Sequence, residues 1–319
     1  MIVTFSHEAL PLSEPPGGAA VVSIGVFDGV HLGHQAILKA NVERARELGA
    51  TSTVVTFRHH PKRVLLGRAP RTLTTLEHRL ELFRRAGIEH TLAMRFDEEL
   101  REEDAGEFTR RILIDKLNAE CFVLGFDSKF GRNRAGGPES LRKAGHSVEV
   151  VDRVTVEQRA VSSTAIRESV ELGDLERASA MLGRPVSIYG TVVSGRQLGR
   201  TLGFPTANLD LHHELHPPTG VYAAWAYRVE PKQRTEQGTG IGAVVNIGYR
   251  PTVPGTRPDQ PLVETHLLDF DGELYGAHLE VEFVRRLREE KRFDGLDSLR
   301  AQIDRDVVQA REILALPAP

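Results

Sequence analysis

The stretch VFDGVHLGHQ, residues 26–35, continues the apolar run AAVVSIGV (19–26) and sets two histidines and two glycines where a strand hands over to a helix. The helical pattern then runs through QAILKANVERARELG, with Leu38, Val42, Ala45 and Leu48 on one face and Gly49 as its stop. Ligands of parallel α/β sheets collect beyond the carboxyl ends of the strands. Gly25, Gly29 and Gly33 lie at such an end and let a phosphate approach the backbone closely. The helix start behind them offers unpaired N–H groups and a positive dipole end, and His31 and His34 add imidazole donors. That assembly suits a polyphosphate whose charge shifts during in-line displacement. An H-x-x-H pair is also half a zinc site, but no cysteine or further closely spaced histidine completes it here.

The same grammar continues outward. TSTVVTF (51–57), HTLAM (90–94), CFVLGF (121–126) and SVEVV (147–151) read as strands, alternating with helical patterns. Thr74 and Glu77 have the spacing of a capping box opening TLEHRLELFRRAG; a further helix is expected from Asp104 to Leu117, and a short one at PESLRKAG. Alternation of this kind predicts a parallel sheet with right-handed crossovers, a Rossmann-like α/β domain, closed by helices at SSTAIRESVELG and DLERASAMLG. After GRP (183–185) the period changes to two. VSIYGTVV, GVYAAWAYRVE, GIGAVVNIG, LVETHLLDF and HLEVEFV predict an antiparallel sheet or small barrel, with an exposed hairpin tip at 228–240. A last helix, capped by Asp294, carries Leu299, Ile303, Val307 and Ile313. The two domains are expected at 1–183 and 184–319.

Composition narrows the classes. With 40% hydrophobic and 27% charged residues the chain of 319 reads as a soluble globular protein of two domains. A net charge of −3 offers no bulk attraction to nucleic acid or anionic lipid, so an anionic ligand must be held by local donors. The basic stretch RHHPKRVLLGRAPR (58–71) is the one nucleic-acid candidate, yet it lacks aromatic stacking residues and reads as a solvated loop. Cys121, the lone cysteine, sits in an apolar run and reads as a buried structural thiol. No apolar run approaches the length of about 18 that a membrane helix needs, and no leader is apparent, so a cytoplasmic protein is expected, its oligomeric state open.

Two more clusters carry chemistry. VSSTAIR (161–167) puts three hydroxyls and Arg167 at a helix start, more than an N-cap requires. GRQLGRTLGFPTAN (195–208) spaces Gly195, Gly199 and Gly203 four apart, with Arg196 and Arg200 between them. It reads either as a flexible loop at a barrel mouth or as a lid whose N–H groups wrap phosphates without a Walker lysine. No G-x-x-x-x-G-K-[ST] occurs, so this is no P-loop.

GVFDGVHLGHQ with its H-x-G-H, followed by SSTAIR, resembles the nucleotidylyltransferase half of bacterial bifunctional riboflavin kinase/FAD synthetases, and the likeness runs through both halves of the chain. It implies that the α/β domain joins FMN to the AMP part of ATP and releases pyrophosphate. His31 and His34 would stabilise the ATP phosphates in the transition state, with Ser163, Thr164 and Arg167 gripping from the opposite side and Gly25, Asp28 and Gly33 in the ATP site. His60 and Asp127 would meet the flavin. Two departures stand out: Phe57-Arg58-His59-His60-Pro61 has histidine where the family has its first proline, and Ser128 replaces an aromatic in Gly125–Gly131. They keep open the alternative of a riboflavin kinase whose other half is impaired. Pro205-Thr206-Ala207-Asn208 resembles the riboflavin kinase signature. By that likeness Gly195, Gly199, Arg200 and Gly203 bind ATP, Thr206 and Asn208 hold Mg²⁺, and Glu264 is the base for a weakly acidic ribityl hydroxyl. Strand alternation places Glu264 and His266 on one face, with Val263, Thr265 and Leu267 on the other. The implied partners are riboflavin, FMN and ATP, with FMN and FAD as products; neither nucleic acid nor membrane is implied.

Overall fold

The computed structural model describes residues 1–5, 18–194, 203–211, 215–229, 240–249 and 262–316. By internal packing the chain divides into Met1–Ser163 and Thr164–Pro319.

In the first unit six parallel strands form one sheet: β1 (Ile2–Thr4), β2 (Ala20–Ile24), β3 (Thr51–Phe57), β4 (His90–Met94), β5 (Ala119–Gly125) and β6 (Ser147–Val151), in the order β1-β4-β3-β2-β5-β6. The order reverses between β2 and β5, which makes the crevice beside β2 the place where such a sheet takes its ligand. Every residue of β2 is buried because both faces are covered. Val22 and Ile24 pack with Phe108, Ile112 and Leu113 on one face; Val21 packs with Ala45, Cys121 and Val123 on the other. The helices are α1 (Leu32–Leu48), α2 (Lys62–Leu66), α3 (Leu76–Arg85), α4 (Glu98–Glu102), α5 (Ala105–Phe108) and α6 (Pro138–Lys143). Cys121 is buried, as its apolar surroundings suggest.

Several local expectations need correction. Asn41, not Leu48, completes the buried face of α1: its amide donates to the Val21 and Thr53 carbonyls and to Ser23, whereas Leu48 is exposed. The cap of α3 is Thr75, which accepts from the His78 N–H, because Thr74 is engaged elsewhere. Asp104 does cap its helix, but α5 loosens after one turn into a π-helical stretch, Thr109–Ile114. Strand β1 is only three residues long, too short to show a period, and a small hairpin of β7 (Thr155–Val156) and β8 (Arg159–Ala160) precedes α7 (Ser163–Glu171).

One expected pH effect follows from β4. His90 is buried, and its Nε2 lies 3.1 Å from the Thr4 hydroxyl, joining β1 to β4. Burial lowers its pKa below the ordinary 6.5. Below that value the unfolded chain takes up a proton that the folded chain resists. The stability is therefore complete above the unfolded pKa and declines as pH falls toward the folded one. Thermal unfolding between about pH 7.5 and 5.5 should show this loss, and His90→Gln should flatten it; an unchanged slope in the variant would contradict the assignment.

The second unit contains the rest of α7, α8 (Leu175–Leu182) and a closed antiparallel barrel. Its strands are β9 (Ser187–Val193), β10 (Ala207–Asp210), β11 (Gly220–Val229), β12 (Ile241–Gly248), β13 (Leu262–Leu267) and β14 (His278–Arg288), in the order β10-β13-β12-β11-β14-β9. Two register shifts bend β11 against β14 and help the sheet to curl shut. The hairpin tip expected between β11 and β12 falls at 230–239, outside the described residues. Helix α9 (Leu296–Ile313) packs Val307, Ala310 and Leu314 on Val221, Ala223 and Val244, on the outside of the barrel. Its N-cap is Gly295 and not Asp294, with the Ser298 hydroxyl donating to the Gly295 carbonyl. Buried Asp306 receives Nε and Nη2 of Arg288, fastening α9 to β14.

Candidate functional site

At the carboxyl end of β2 the chain makes a tight turn before α1. Phe27, Gly29 and Val30 all have positive φ (53°, 83° and 40°), and two of these residues are not glycine. A side chain at Gly29 would meet Leu73 Cδ1 at 2.7 Å. The turn is held from one side by α3's leading segment: Asp28 Oδ1 accepts from the N–H groups of Leu73 (2.9 Å) and Thr74 (3.1 Å) and from the Thr74 hydroxyl. Thr74 Oγ1 in turn accepts from the Gly29 N–H at 3.0 Å, which is why it cannot cap α3. Asp28 is buried, so its carboxylate braces the turn.

His31 is the N-cap of α1, its Nδ1 accepting from the His34 N–H at 3.4 Å. An accepting Nδ1 places the neutral ring's proton on Nε2, a donor for an anion. The His31 and His34 rings stack with centroids 3.6 Å apart and planes 16° from parallel, while the Phe27 ring meets His34 edge-on at 5.2 Å. Gly33 keeps room for this stack, since a Cβ there would press on His31 at 3.3 Å. Not every amide expected to face a phosphate is available: the Gly25 N–H donates to Val55 and that of Gly29 to Thr74. The first-turn N–H groups of Leu32 and Gly33 have no intrahelical acceptor, so the anion-binding capacity lies there.

Ser163 joins this site: its hydroxyl donates to the Asp28 carbonyl at 3.0 Å. Thr164 and Arg167 follow it on α7 within the second unit. His60 lies just beyond β3, its Nδ1 accepting from the Lys62 N–H, and Asp127 is exposed in the turn after β5. Since β3 and β5 flank β2, these two stand on either side of the histidine turn.

The second cluster is built on the barrel. Asn208 of β10 is the direct ladder partner of Glu264 on β13, and Glu264 is in turn opposite Asn246 on β12. Directly opposed residues leave the same face, so the three side chains form one row. Burial alternates along β13 as expected: Val263, Thr265 and Leu267 are buried, and Glu264 and His266 half-buried on the other face. The segment 195–208, which reads as a loop or lid, ends in a strand: alanine, asparagine and aspartate favour strands poorly, yet Ala207–Asp210 pairs on both sides as β10. Asn208 is buried, and its Oδ1 has no hydrogen-bond partner among the described residues. Such an atom wants a donor or a hard cation. A cleft of about 370 Å³ lies on the other face of the same ladder, lined by Thr206, Ala207, Thr265 and Leu267 and by the Phe270–Tyr275 segment. Thus Thr206 reaches the cleft, while Asn208 and Glu264 stand on the outer face. Gly203 is exposed ahead of β10; Gly195, Gly199 and Arg200 lie outside the described residues.

His266 is a residue the motifs did not single out for a task. Its Nδ1–H donates to the Pro205 carbonyl at 2.8 Å, and the Phe204 ring meets it edge-on at 5.5 Å. Burial lowers its pKa, although the Pro205 carbonyl pulls the other way, so the ring is a neutral donor pinning the segment that leads into Thr206. Arg311 of α9 pairs with Asp269 just beyond β13.

Residues 14–165 match the FAD synthetase family and residues 182–314 the riboflavin kinase family. The chain is 40% identical over 311 residues to the bifunctional riboflavin kinase/FMN adenylyltransferase of Pseudomonas fluorescens, covering 94% of this chain and 95% of that one. The protein of the same name from Haemophilus influenzae is 37% identical, with 91% and 92% covered. A solved chain described as a macrolide-efflux protein from Streptococcus pneumoniae has a TM-score of 0.79 at 28% identity, covering 98% of this chain and 99% of that one. Among the described residues no helix is long and apolar enough to cross a membrane. Matches in both halves favour two activities over a lone kinase, and the chain belongs to the bifunctional riboflavin kinase/FMN adenylyltransferase family, FAD synthetase in its first half and riboflavin kinase in its second.

Proposed function

We propose that adenylyl transfer takes place at the histidine turn between β2 and α1, and phosphoryl transfer at the Asn208–Glu264 row of the barrel, with the functional boundary at 183/184. The observation that carries the reading is the cross-strand pairing of Asn208 with Glu264, which sets a cation ligand beside a base, together with the stacked His31 and His34 at a helix N-terminus.

In the first reaction an FMN phosphate oxygen attacks the α-phosphorus of ATP in line, and pyrophosphate leaves. The phosphate is already anionic near neutral pH, so no strong base is required. His31 Nε2–H and the N–H groups of Leu32 and Gly33 face the charge that grows on the phosphate oxygens, with the α1 dipole adding to them. Ser163, Thr164 and Arg167 grip from the second side, and His60 and Asp127 orient the flavin. In the second reaction the terminal ribityl hydroxyl attacks the γ-phosphorus and ADP leaves. Glu264 takes the hydroxyl proton. The ATP phosphates lie at Asn208, beside Glu264 on the same face of the β10–β13 ladder. By the family likeness Gly195, Gly199, Arg200 and Gly203 bind the ATP phosphates.

Mg²⁺ fits Asn208: its Oδ1 is a hard oxygen donor buried without a partner among the described residues, and the family likeness adds the Thr206 hydroxyl just ahead of β10. When bound, the ion neutralises charge on the ATP phosphates. A time course of riboflavin with MgATP should show FMN first, then FAD with pyrophosphate. Asn208→Ala should raise the Mg²⁺ concentration for half-maximal FMN formation by about tenfold or more, leaving FAD formation from supplied FMN at its normal Mg²⁺ requirement. Equal Mg²⁺ dependence in variant and parent would refute the metal assignment.

A further inference from the structure

The strained turn carrying the histidines needs an anchor on its strand side, and none of the signature residues provides one. Val26 and Phe57 end the stretches that deliver the histidine turn and the His60 loop. Their carbonyls accept from one side chain: Arg79 Nη1 donates to Val26 and Nη2 to Phe57, both at 2.7 Å. The Thr56 hydroxyl also donates to the Val26 carbonyl, at 3.2 Å. Arg79 is 3% exposed, and its Nε has no partner among the described residues. A buried guanidinium whose Nε is unmet is a costly way merely to fill space, and an apolar side chain of similar length would serve packing better. What the fork supplies is geometry. Its planar donors set two carbonyls at a fixed separation, which a point charge or an apolar chain does not do. Burial draws the Arg79 pKa down to about 10, with the nearby Asp28 carboxylate opposing the fall, so the group stays charged at neutral pH.

We propose that Arg79 is a positioning residue for adenylyl transfer, clamping the His31 turn to the end of β3 so that the ATP-binding and flavin-binding loops keep one fixed spacing. With Asp28 held by Leu73 and Thr74, residues 73–79 brace the turn at two points, and the positive φ values of Phe27 and Val30 are held in place by them. The inference rests on adenylyl transfer occurring at the His31 turn.

The test uses the full-length enzyme, with riboflavin phosphorylation measured in the same preparation as an internal control. Arg79→Met should lower kcat for FAD formation by about 100-fold, the scale of a misplacement near 1 Å, while the KM for ATP changes less than about threefold. Arg79→Lys, with an ammonium that reaches the same carbonyls without the planar fork, should recover part of the loss. Riboflavin phosphorylation should be unchanged in both. A kcat within about threefold of the parent for Arg79→Met overturns the proposal, as does a rise in both KM values at unchanged kcat. If Arg79→Met does not fold, Arg79→Lys decides alone: reduced kcat with intact kinase activity supports the clamp, and either a parental kcat or loss of both activities refutes it. His31→Ala, run alongside, tests the underlying reading separately, because FAD formation that survives it moves the reaction away from this turn whatever Arg79 does.

Discussion

His31→Ala is expected to cut FAD formation from FMN by about 10²–10³-fold while riboflavin phosphorylation continues at its normal rate. The size follows from losing a preorganised donor aimed at developing charge. His31 does two things at once. Its Nδ1 caps α1 through the His34 N–H, and its ring stacks on His34 at 3.6 Å. Alanine removes the Nε2 donor and leaves the His34 ring without its partner. Loss of an N-cap costs about 1 kcal/mol, too little to unfold the first unit, so the protein should remain folded, which thermal unfolding would report. His31→Asn separates the two roles: asparagine is a good cap but a poor substitute for the imidazole donor. It should restore stability without restoring turnover. Parallel loss of both reactions in folded His31→Ala would place the histidine outside a site dedicated to FAD formation.

The converse variant has a comparable effect. Glu264→Gln should reduce FMN formation by about 10²–10⁴-fold, the contribution typical of a positioned general base. FAD formation from supplied FMN should be unaffected. Glutamine keeps the size and the register opposite Asn208 and Asn246, so a fall in kcat with little change in KM for riboflavin isolates the proton transfer. Normal FMN formation by this variant would require a different base. Measured on one preparation each, the two variants form a double dissociation.

The motifs made much of this legible, for definite reasons. Strands Thr51–Phe57 and His90–Met94 coincide with their β-rich runs to the residue, since a parallel sheet buried on both faces demands β-rich continuity; the edge strand Ser147–Val151 matches too, although it is only partly buried. The alternation that separates Glu264 from Thr265 is local and shows in the sequence as a period of two. What stayed hidden depends on distant partners. Thr74 has the proper spacing for a cap, but Asp28, far away in sequence, competes for it and moves the helix start by one. Arg79 looks like any arginine on a helix, and only folding shows that its fork spans two strand ends. Asn41 likewise interrupts an apolar face because three carbonyl and hydroxyl groups need its amide. Tertiary hydrogen bonds leave no period in a sequence.

The ladder pairing Asn208 with Glu264 has a consequence for how this enzyme can vary. Side chains along β13 point alternately inward and outward, so removing or adding one residue upstream within that strand would swing the carboxylate into the barrel and bring its neighbour out. A change of two preserves the side but shifts the carboxylate along the strand to a different rung. Loops joining the strands can therefore lengthen or shorten among relatives with little penalty, whereas indels inside β10 or β13 are expected to be purged. Any grafting of this barrel onto another scaffold must respect that parity before it considers composition.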